Sequence, residues 1–423
     1  MKTLIPMLVV VCGLIDAIEP VFAQTWTQTS ATNSGWESIA SSADGSRLVA
    51  VGVGGVYTST NSGTTWIQST NPTGPAAQLI FTTLSADGNK IAATCYGDLD
   101  GSVLSGSVFI STNFGVSWTS NTLPCLNLIA ITCSSDGNKL VVAAGEKPSI
   151  GIGPITGGLI YISTNSGADW NVTGAPSNYW SCVASSADGT KLAAGIMIEL
   201  DSQGNPTPGQ IYVSTNAGVT WSLTSSPTNG SDSFIQGWVS IACSADGCKL
   251  VAAAAPFGSL YTSSDSGSTW ISNNVPLASW TSVASSADGA RLVAVAEGGE
   301  VYTSTNFGAT WISNSAPNDV WMSVASSADG GKLAAAENSS SNAGIYNYSS
   351  SPSTRLNIKH SAADIGLSWL VSSTNFMLQQ NLDLNTSNWM TLTNAPTLNL
   401  TNLQDEVTLS PTNSSGFFRL VSQ

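Results

Sequence analysis

This 423-residue chain contains few charged residues. Only 9% of its residues are Asp, Glu, Lys or Arg, and its single histidine is His360. Acidic residues outnumber basic ones by 26 to 12, so the formal net charge is −14 at pH 7 and the pI is near 4.2. Because nucleic acids and anionic membranes bind proteins through Lys and Arg, this balance argues against both as partners.

The chain also lacks the patterns of metal and nucleophile sites. It has seven cysteines, but no Cys-x-x-Cys pair and no Cys/His spacing of a zinc site, so we expect no metal and no cofactor. Nucleophile elbow, phosphate loop and dinucleotide fingerprint are all missing. His360 lies near the C-terminus, and we interpret it as a surface residue. No catalytic residue can be assigned from these patterns.

Long apolar runs are missing after the N-terminus. Residues 1–23 combine Lys2, an apolar stretch from Leu4 to Ile15 and the cleavage-site pattern Val21-Phe22-Ala23, and we interpret them as a signal peptide. No later run approaches the ~18 apolar residues of a membrane span. We therefore expect the mature chain to be secreted, or held at the cell surface or in the periplasm, without a membrane span.

What the chain does have is repetition. A turn with the pattern Asp-Gly, followed by a basic residue and an apolar run, recurs at intervals of about 40 to 60 residues, which is typical of four-stranded propeller blades. Its aspartates are Asp44, Asp87, Asp136, Asp188, Asp246, Asp288 and Asp329. An eight-residue motif lies between these turns as STNSGTTW (59–66), STNFGVSW (111–118), STNSGADW (163–170), STNAGVTW (214–221), SSDSGSTW (263–270) and STNFGATW (304–311).

One repeat, residues 280–315, shows how each unit folds. WTSVASS alternates apolar and small polar residues as a half-buried strand does, and ARLVAVAE is apolar nearly throughout as a fully buried strand is. The Asp-Gly turn joins them, Glu297 to Glu300 turns the chain again, and VYTST and ATWISNS follow. The sequence therefore predicts four antiparallel strands per repeat, which make one propeller blade.

Seven Asp-Gly turns and only six eight-residue motifs leave the last repeat, which ends near residue 350, without its fourth strand. QTWTQTS (24–30) matches ATWISNS (309–315), with Trp26 at the motif tryptophan. We predict that this N-terminal strand supplies the missing outer strand and closes the ring, hiding the open sheet edges. The predicted fold is all-β, a seven-bladed β-propeller over residues 24–350.

The eight-residue motif resembles the Asp-box of bacterial neuraminidase repeats, S-x-D-x-G-x-T-W, although only Asp265 keeps the aspartate. The resemblance implies a β-propeller like those of sialidases, xyloglucan-active glycoside hydrolases, sortilin-type receptors and photosystem II assembly factors. It implies a turn and not a reaction. The positions with this structural role are Asn61, Gly63, Trp66, Asn113, Gly115, Trp118, Asn165, Gly167, Trp170, Asn216, Gly218, Trp221, Asp265, Gly267, Trp270, Asn306, Gly308 and Trp311.

Residues 351–423 have their own composition, and five or six short strands are predicted there. We expect a small β-sandwich-like module. It is similar to C-terminal modules of exported proteins from Verrucomicrobia and Planctomycetes, on the pattern of Trp369, Trp389 and Phe417-Phe418-Arg419-Leu420. That resemblance implies an attachment or export role.

The cysteines leave their pairing open. Cys243 and Cys248 flank the Asp246-Gly247 turn and could form a disulfide across it if the hairpin register allowed. Cys133 occupies the same repeat position as Cys243. A buried free thiol and a bridge are equally compatible with its sequence context.

Sialidase chemistry requires three arginines around the substrate carboxylate. The chain has four arginines, two of which, Arg47 and Arg291, follow Asp-Gly turns, while Arg355 and Arg419 lie in the C-terminal region. Because no triad can be assembled, we do not expect a sialidase. The leading interpretation is a non-catalytic binding or scaffold propeller for a carbohydrate or protein ligand, and we expect a monomer. The alternative is a glycoside hydrolase that uses two loop carboxylates.

Insertions predict where a ligand binds. In an antiparallel blade, the Asp-Gly turn and the motif turn lie at one end, here called the turn face. The insertions 96–107, 145–158, 195–210 and 225–237 then lie at the other end, the insert face, at blades two to four. The candidate ligand-binding residues are Tyr96, Asp98, Asp100, Glu146, Tyr179, Glu199, Asp201, Asp232 and Phe234. Trp180 and Trp238 recur in other repeats, so we interpret them as packing residues. Glu297 is a further carboxylate that a hydrolase could use.

Overall fold

The computed structural model of this chain describes residues 26–31, 35–70, 72, 78–95, 106–125, 127–144, 157–200, 206–227, 237–339, 343–350, 356–360, 364–372, 376–382, 386–409 and 416–422. These residues form strands and turns, without a helix. The apolar second strand of each repeat is almost completely buried, because it packs on both faces, as its unbroken apolar sequence predicts.

The first five repeats are four-stranded antiparallel sheets. Repeat one contains β2 (Trp36–Ser41), β3 (Leu48–Gly52), β4 (Gly55–Ser59) and β5 (Ile67–Gln68); repeat two contains β6 (Leu79–Leu84), β7 (Ile91–Cys95), β8 (Gly106–Ser111) and β9 (Thr119–Leu123). Repeat three contains β10 (Leu128–Cys133), β11 (Leu140–Ala144), β12 (Ile160–Ser163) and β13 (Asn171–Val172). The sheet of repeat four contains β14 (Trp180–Ser185), β15 (Leu192–Ile196), β18 (Ile211–Ser214) and β19 (Ser222–Leu223). Between β15 and β18, the chain forms a separate two-stranded sheet of β16 (Ile198–Leu200) and β17 (Pro206–Pro208). Repeat five contains β20 (Gly237–Cys243), β21 (Leu250–Ala255), β22 (Leu260–Ser263) and β23 (Ile271–Ser272).

Repeats six and seven share one six-stranded sheet that also includes the N-terminal strand β1. Its strands are β1 (Thr27–Gln28), β24 (Trp280–Ser285), β25 (Leu292–Ser304), β26 (Ile312–Ser326), β27 (Lys332–Glu337) and β28 (Ile345–Ser349). The expected turn at 297–300 does not end a strand. Instead, Glu297 pairs with Val320 and Gly299 with Asp319, with register shifts on either side. This extra pairing extends β25 and β26 and merges the two sheets.

The N-terminal strand lies where the sequence predicts it. Thr27 is opposite Asn347 and Gln28 is opposite Tyr346, so β1 is the fourth strand of repeat seven. The Trp26 ring centroid is 6.4 Å from that of Trp321. The corresponding pair in repeat one, Trp66 and Trp36, has the same separation of 6.4 Å. Trp26 therefore substitutes for the motif tryptophan that repeat seven lacks.

A ring of backbone hydrogen bonds joins all seven Asp-Gly turns. The residue before each turn aspartate donates its N–H to the carbonyl oxygen of the equivalent residue in the next repeat, over 2.7 to 2.9 Å. The series runs from Ala43 to Ala86, Ser135, Ala187, Ala245, Ala287 and Ala328, and Ala328 donates to Ala43. The seven turns thus form a closed circle.

Basic side chains form a second ring outside the first. Each base after an Asp-Gly turn reaches the turn of the next repeat; Lys139 Nζ, for example, donates to the Asp188 carbonyl at 2.8 Å. The seven bases are Arg47, Lys90, Lys139, Lys191, Lys249, Arg291 and Lys332. They cover the turn glycines so closely that a Cβ on Gly137, where φ is +64°, would lie 2.9 Å from Lys90 Cδ. More than half of the chain's 12 bases are used in this way.

The two turns of a repeat lie at the same end, as predicted. In repeat one the Ser62 N–H of the motif turn donates to the Ser46 carbonyl beside the Asp-Gly turn, at 2.8 Å. Within the motif, Asn61 Oδ1 accepts the Thr65 N–H at 2.9 Å, and Asp265 Oδ1 accepts the Thr269 N–H at 2.8 Å. Asn and Asp therefore make the same turn, because both present an oxygen at this position.

The C-terminal region, here called the tail, has two sheets. One contains β29 (Asn357–His360), β30 (Ile365–Leu370), β33 (Thr397–Asn399) and β34 (Gln404–Leu409), and the other contains β31 (Phe376–Asn381), β32 (Met390–Thr391) and β35 (Phe417–Ser422). Leu367, Trp369, Leu378 and Val407 from both sheets form one buried cluster. The tail therefore has an apolar core of its own, and His360 ends its first strand.

Candidate functional site

The tail packs on the turn face. Val371, only 9% exposed, lies in one apolar cluster with the ring residues Ala43, Ala187, Ala245, Ala287 and Ala328, and Leu370, Leu398 and Leu403 pack against that cluster. Two polar contacts accompany it: the Ser372 hydroxyl donates to Asp329 Oδ2 at 3.3 Å, and the Ser135 hydroxyl donates to the Leu400 carbonyl. The centre of the turn face is therefore covered by the chain itself.

Most of the predicted ligand-binding residues lie outside the described residues. These are Tyr96, Asp98, Asp100, Glu146, Asp201, Asp232 and Phe234. Glu199 lies in β16 and is paired with Thr207 in β17, so part of the third insertion is an antiparallel ribbon. Tyr179 is half-buried against the cluster between repeats three and four, and its carbonyl accepts the Met197 N–H at 3.1 Å, at the base of that ribbon.

Trp180 and Trp238 are packing residues, as predicted. Each is 2% exposed. The Trp180 ring lies edge-on to Tyr212 at 5.6 Å, and the Trp238 ring lies edge-on to Tyr261 at 5.3 Å. Trp36, Trp280 and Trp321 occupy the equivalent positions and are equally buried. None of these indoles offers a surface for a ligand.

Three carboxylates that the sequence analysis did not select lie together on the insert face, at the junction of repeats seven and one. They are Glu37 at the start of β2, Asp319 in β26 and Glu337 at the end of β27, and we call them the acid cluster. Glu37 Oε1 accepts hydrogen bonds from Gln78 Nε2 of repeat two at 2.9 Å and from Asn338 Nδ2 of repeat seven at 3.2 Å. Glu37 therefore connects three consecutive repeats.

Glu337 is the most unusual member of the acid cluster. Its side chain is completely buried. Its Oε1 accepts hydrogen bonds from the Ser339 N–H and hydroxyl, whereas its Oε2 is buried without a donor among the described residues. The Glu337 and Asp319 carboxyl groups also share a side-chain hydrogen bond, which favours the protonated form of Glu337. Burial raises the pKa of Glu337, and the nearby Asp319 carboxylate raises it further. Burial likewise raises the pKa of Glu37, although its two amide donors counteract part of that rise.

The repeat pattern contains a signal that could have identified Glu337. It lies opposite Trp321 in the β26–β27 pair. The residues at this position in the other repeats are Gly52, Cys95, Ala144, Ile196, Ala254 and Ala296. An acid where six repeats have a small or apolar residue marks an exception to the packing rule.

The disulfide expected between Cys243 and Cys248 is not formed, and both are free thiols. Cys243 is paired with Leu250, so Cys248 is not opposite it in the hairpin. Cys243 Sγ donates to the Ser185 carbonyl at 3.1 Å, and Cys248 Sγ accepts from Lys191 Nζ at 2.9 Å. Cys133 is also a free thiol, and burial raises its pKa to about 11.

Two further features bear on the class of site. Among the described residues, no group of three or more His, Cys, Asp and Glu side chains is arranged to hold a metal ion. Within the same ranges, no helix has the length and apolar character needed to cross a bilayer.

Comparison with solved structures defines the fold class. The chain is similar to YCF48 from Cyanidioschyzon merolae, with 15% identity and a TM-score of 0.53 over 77% of this chain and 98% of that one. A structure of YCF48 bound to D1 peptide gives 14% identity and a TM-score of 0.52, over 78% of this chain and 97% of that one. The Cps50 (Swd1) β-propeller domain of Myceliophteria thermophila gives 13% identity and a TM-score of 0.54, over 77% of this chain and 100% of that one.

These likenesses, together with the sheets and the ring of turns, assign the chain to the β-propellers. At such low identity they establish the fold alone. The sequence matches no protein-family model and no curated protein.

Proposed function

We propose that this chain is an exported, non-catalytic binding protein that recognises a segment of another protein on its insert face. In this proposal residues 24–350 form a seven-bladed Asp-box propeller closed by the N-terminal strand. Residues 351–423 form a module attached to the opposite face. The cleavable leader at residues 1–23, which lies outside the described residues, is the basis for proposing export.

One observation carries the choice of face. The tail covers the centre of the turn face, where Val371 packs among the ring alanines. Propellers bind ligands at the ends of their central axis because loops from all blades converge there. With one end covered, the insert face is the end that remains for a ligand. The insertions of repeats two to four enlarge that same face.

A protein segment is favoured over a carbohydrate for two reasons. YCF48, a propeller of similar fold, has been solved with a bound peptide. In addition, the tryptophans that could have stacked on a sugar ring at this end, Trp180 and Trp238, are committed to packing between repeats. The candidates Tyr96, Asp98, Asp100, Glu146, Tyr179, Glu199, Asp201, Asp232 and Phe234 remain the proposed contacts.

The proposal can be tested with a random dodecapeptide library selected against the mature chain. Enriched peptides should bind the wild type, and a variant in which residues 198–208 are replaced by a short turn should lose at least tenfold in affinity. Asp169→Thr is the matched control on the turn face, because Thr or Ser occupies this motif position in the other copies. Peptides that bind the isolated tail as well as they bind the whole chain would contradict the proposal.

A glycoside hydrolase is the second candidate, and one observation favours it. Glu337 has a raised pKa beside the Asp319 carboxylate, and a protonated acid next to an ionised carboxylate is what such hydrolases require. The test is release of reducing sugar from β-glucans and sialosides. Turnover by the wild type that Glu337→Gln abolishes would establish catalysis and replace the binding proposal.

A further inference from the structure

The basic side chains of the described repeats lie at one face, whereas carboxylates lie at both, because the turn face also carries the seven turn aspartates, Asp169 and Asp265. The seven bases lie at the turn face, and each is in contact with the neighbouring turn. At the insert face the described residues include Glu199 of repeat four and five carboxylates of repeats six, seven and one, Glu37, Glu297, Glu300, Asp319 and Glu337, and no Lys or Arg. The described part of the insert face is therefore negative and has no cation of its own.

These five carboxylates follow one another around the ring. Glu297 and Glu300 flank Gly299 in repeat six, and Gly299 is paired with Asp319. Asp319 lies beside Glu337 in repeat seven, and Asn338, the next residue, donates to Glu37 of repeat one. The row spans three consecutive repeats, which is the extent of a peptide segment and more than a single small cation would contact.

Stability does not account for Glu337. In the other six repeats, a small or apolar residue occupies the position of Glu337; Ile196, for example, lies there opposite Trp180. A buried carboxylate at this position costs free energy unless it is paired. Its Oε2 is buried without a donor among the described residues, and the carboxyl group with which Glu337 shares a side-chain hydrogen bond is that of another acid, Asp319. No Lys or Arg of the described residues accompanies this pair.

We propose that the insert face binds a cationic peptide segment, with Lys or Arg side chains paired to Glu37 and Asp319, beside the buried Glu337, and further bases along Glu297 and Glu300. This inference rests on the proposed function and names the class of its ligand. Binding of the cation offsets the free-energy cost of keeping the carboxylates of the acid cluster together and partly buried. The ammonium or guanidinium donates to carboxylate oxygens that have no cationic partner among the described residues.

The test uses three synthetic peptides of equal length on the full mature chain: one with several Lys and Arg, one with Gln at those positions and one with Glu. Binding is measured by fluorescence anisotropy at low and high salt and between pH 7 and pH 4. We expect only the basic peptide to bind. Its affinity should fall about tenfold as NaCl rises from 50 to 500 mM. It should also fall as the pH drops, because burial raises the pKa of Glu37 and of Glu337.

The variant Glu37→Gln/Asp319→Asn removes two charges with little change of shape and should weaken binding of the basic peptide at least tenfold, or about 1.4 kcal/mol. Glu337→Gln should weaken it as well. Asp169→Thr and Asp364→Asn remove charge away from the insert face and serve as controls for non-specific attraction to an acidic protein. They should change the affinity less than twofold. Melting curves verify that each variant is folded.

Three outcomes would overturn the inference. Equal binding of the basic and Gln peptides, with loss on deletion of 198–208, would leave the binding face in place and refute its charge preference. A loss of affinity in Asp169→Thr as large as that in the acid-cluster variant would show a general attraction between opposite charges. Absence of binding by any of the three peptides and by the library-selected ones would overturn the proposed function as well.

Discussion

The backbone N–H of Ala328 donates to the carbonyl oxygen of Ala43 over 2.7 Å, although the two residues lie in the last and first repeats. This hydrogen bond completes the circle of turns. The strand pairing of Thr27 with Asn347 completes the same junction at the outer edge. The ring is thus closed at its inner and outer radius by contacts between the two ends of the repeat array.

The outer closure depends on Trp26. Replacing Trp26 by Ala should destabilise the protein by about 3 kcal/mol, as expected for removal of a buried tryptophan. The matched variant Trp66→Ala removes the equivalent ring from repeat one, which lies 6.4 Å from Trp36. Denaturant unfolding of both should give similar losses. A large loss in Trp66→Ala with no loss in Trp26→Ala would show that β1 does not close the ring.

The contact between neighbouring turns predicts a non-additive pair. Gly137→Ala should destabilise the fold by about 1 to 2 kcal/mol because an L residue is strained at φ +64°. The clash of its Cβ with Lys90 should add to this loss. Lys90→Ala removes the contact with Cδ at 2.9 Å, but it leaves the strain and the contacts with Lys90 Cβ at 3.0 Å and Ser85 Cβ at 3.1 Å. The double variant should therefore lose less than the sum of the single losses. Strict additivity in urea unfolding would contradict the contact.

The buried Glu337 predicts a pH-dependent gain in stability. Its folded pKa lies above the ordinary value of 4.5 because of burial and Asp319. The wild type therefore loses stability as pH rises through the folded pKa, and Glu337→Gln avoids this loss. We expect the variant to melt roughly 2 °C higher at pH 7. The difference should vanish near pH 4, where Glu337 is protonated in both the folded and the unfolded state.

The turn aspartates determine the lowest pH at which the stabilities of the wild type and Glu337→Gln can be compared. Although burial acts to raise the pKa of Asp44, hydrogen bonds from Ser42 and Ser46 lower it below the ordinary value of 3.8. Asp87, Asp136, Asp188 and Asp246 are shifted in the same direction. Their contribution is present above the unfolded pKa and lost as pH falls through the folded one. Both proteins should therefore lose stability in parallel below about pH 4, and a difference in melting temperature that persists there would contradict the assignment to Glu337.

The docking of the tail depends on Val371. Val371→Asp places a carboxylate among the ring alanines and beside Asp329, so the tail should detach while its own core of Leu367 and Trp369 stays folded. Limited proteolysis should then cut between 350 and 356 several times faster than in the wild type. Leu382→Asp alters a tail side chain that is already 47% exposed and should not change the rate. Equal rates for all three proteins would refute the docking.

The sequence was sufficient for the parts of the fold that repetition encodes. Asp-Gly turns, apolar second strands and the tryptophan at position 26 each predict a local contact, and those contacts form as expected. The merged sheet of repeats six and seven was not predicted, because the pairing of Gly299 with Asp319 depends on two loops meeting in space. The docking of Val371 on the ring alanines is equally non-local.

Of the candidate site, the sequence predicts only the face of the propeller on which it lies. The turn positions follow from strand direction, so the insert face could be assigned from the sequence. The acid cluster could not, because Glu37, Asp319 and Glu337 are far apart in the chain and come together only when the ring closes. The possible disulfide between Cys243 and Cys248 depended on the local hairpin register, which places Leu250, not Cys248, opposite Cys243.

Hydrogen–deuterium exchange of the mature chain, with and without the basic peptide, tests the central claim most directly. Our account predicts slower exchange on binding at the start of β2 near Glu37, in residues 297–300 and 319–322, and in residues 337–339. The seven Asp-Gly turns and the tail should exchange at unchanged rates. Protection confined to the turns and to residues 398–403, with none near Glu37 or Glu337, would place the ligand on the turn face and contradict the account.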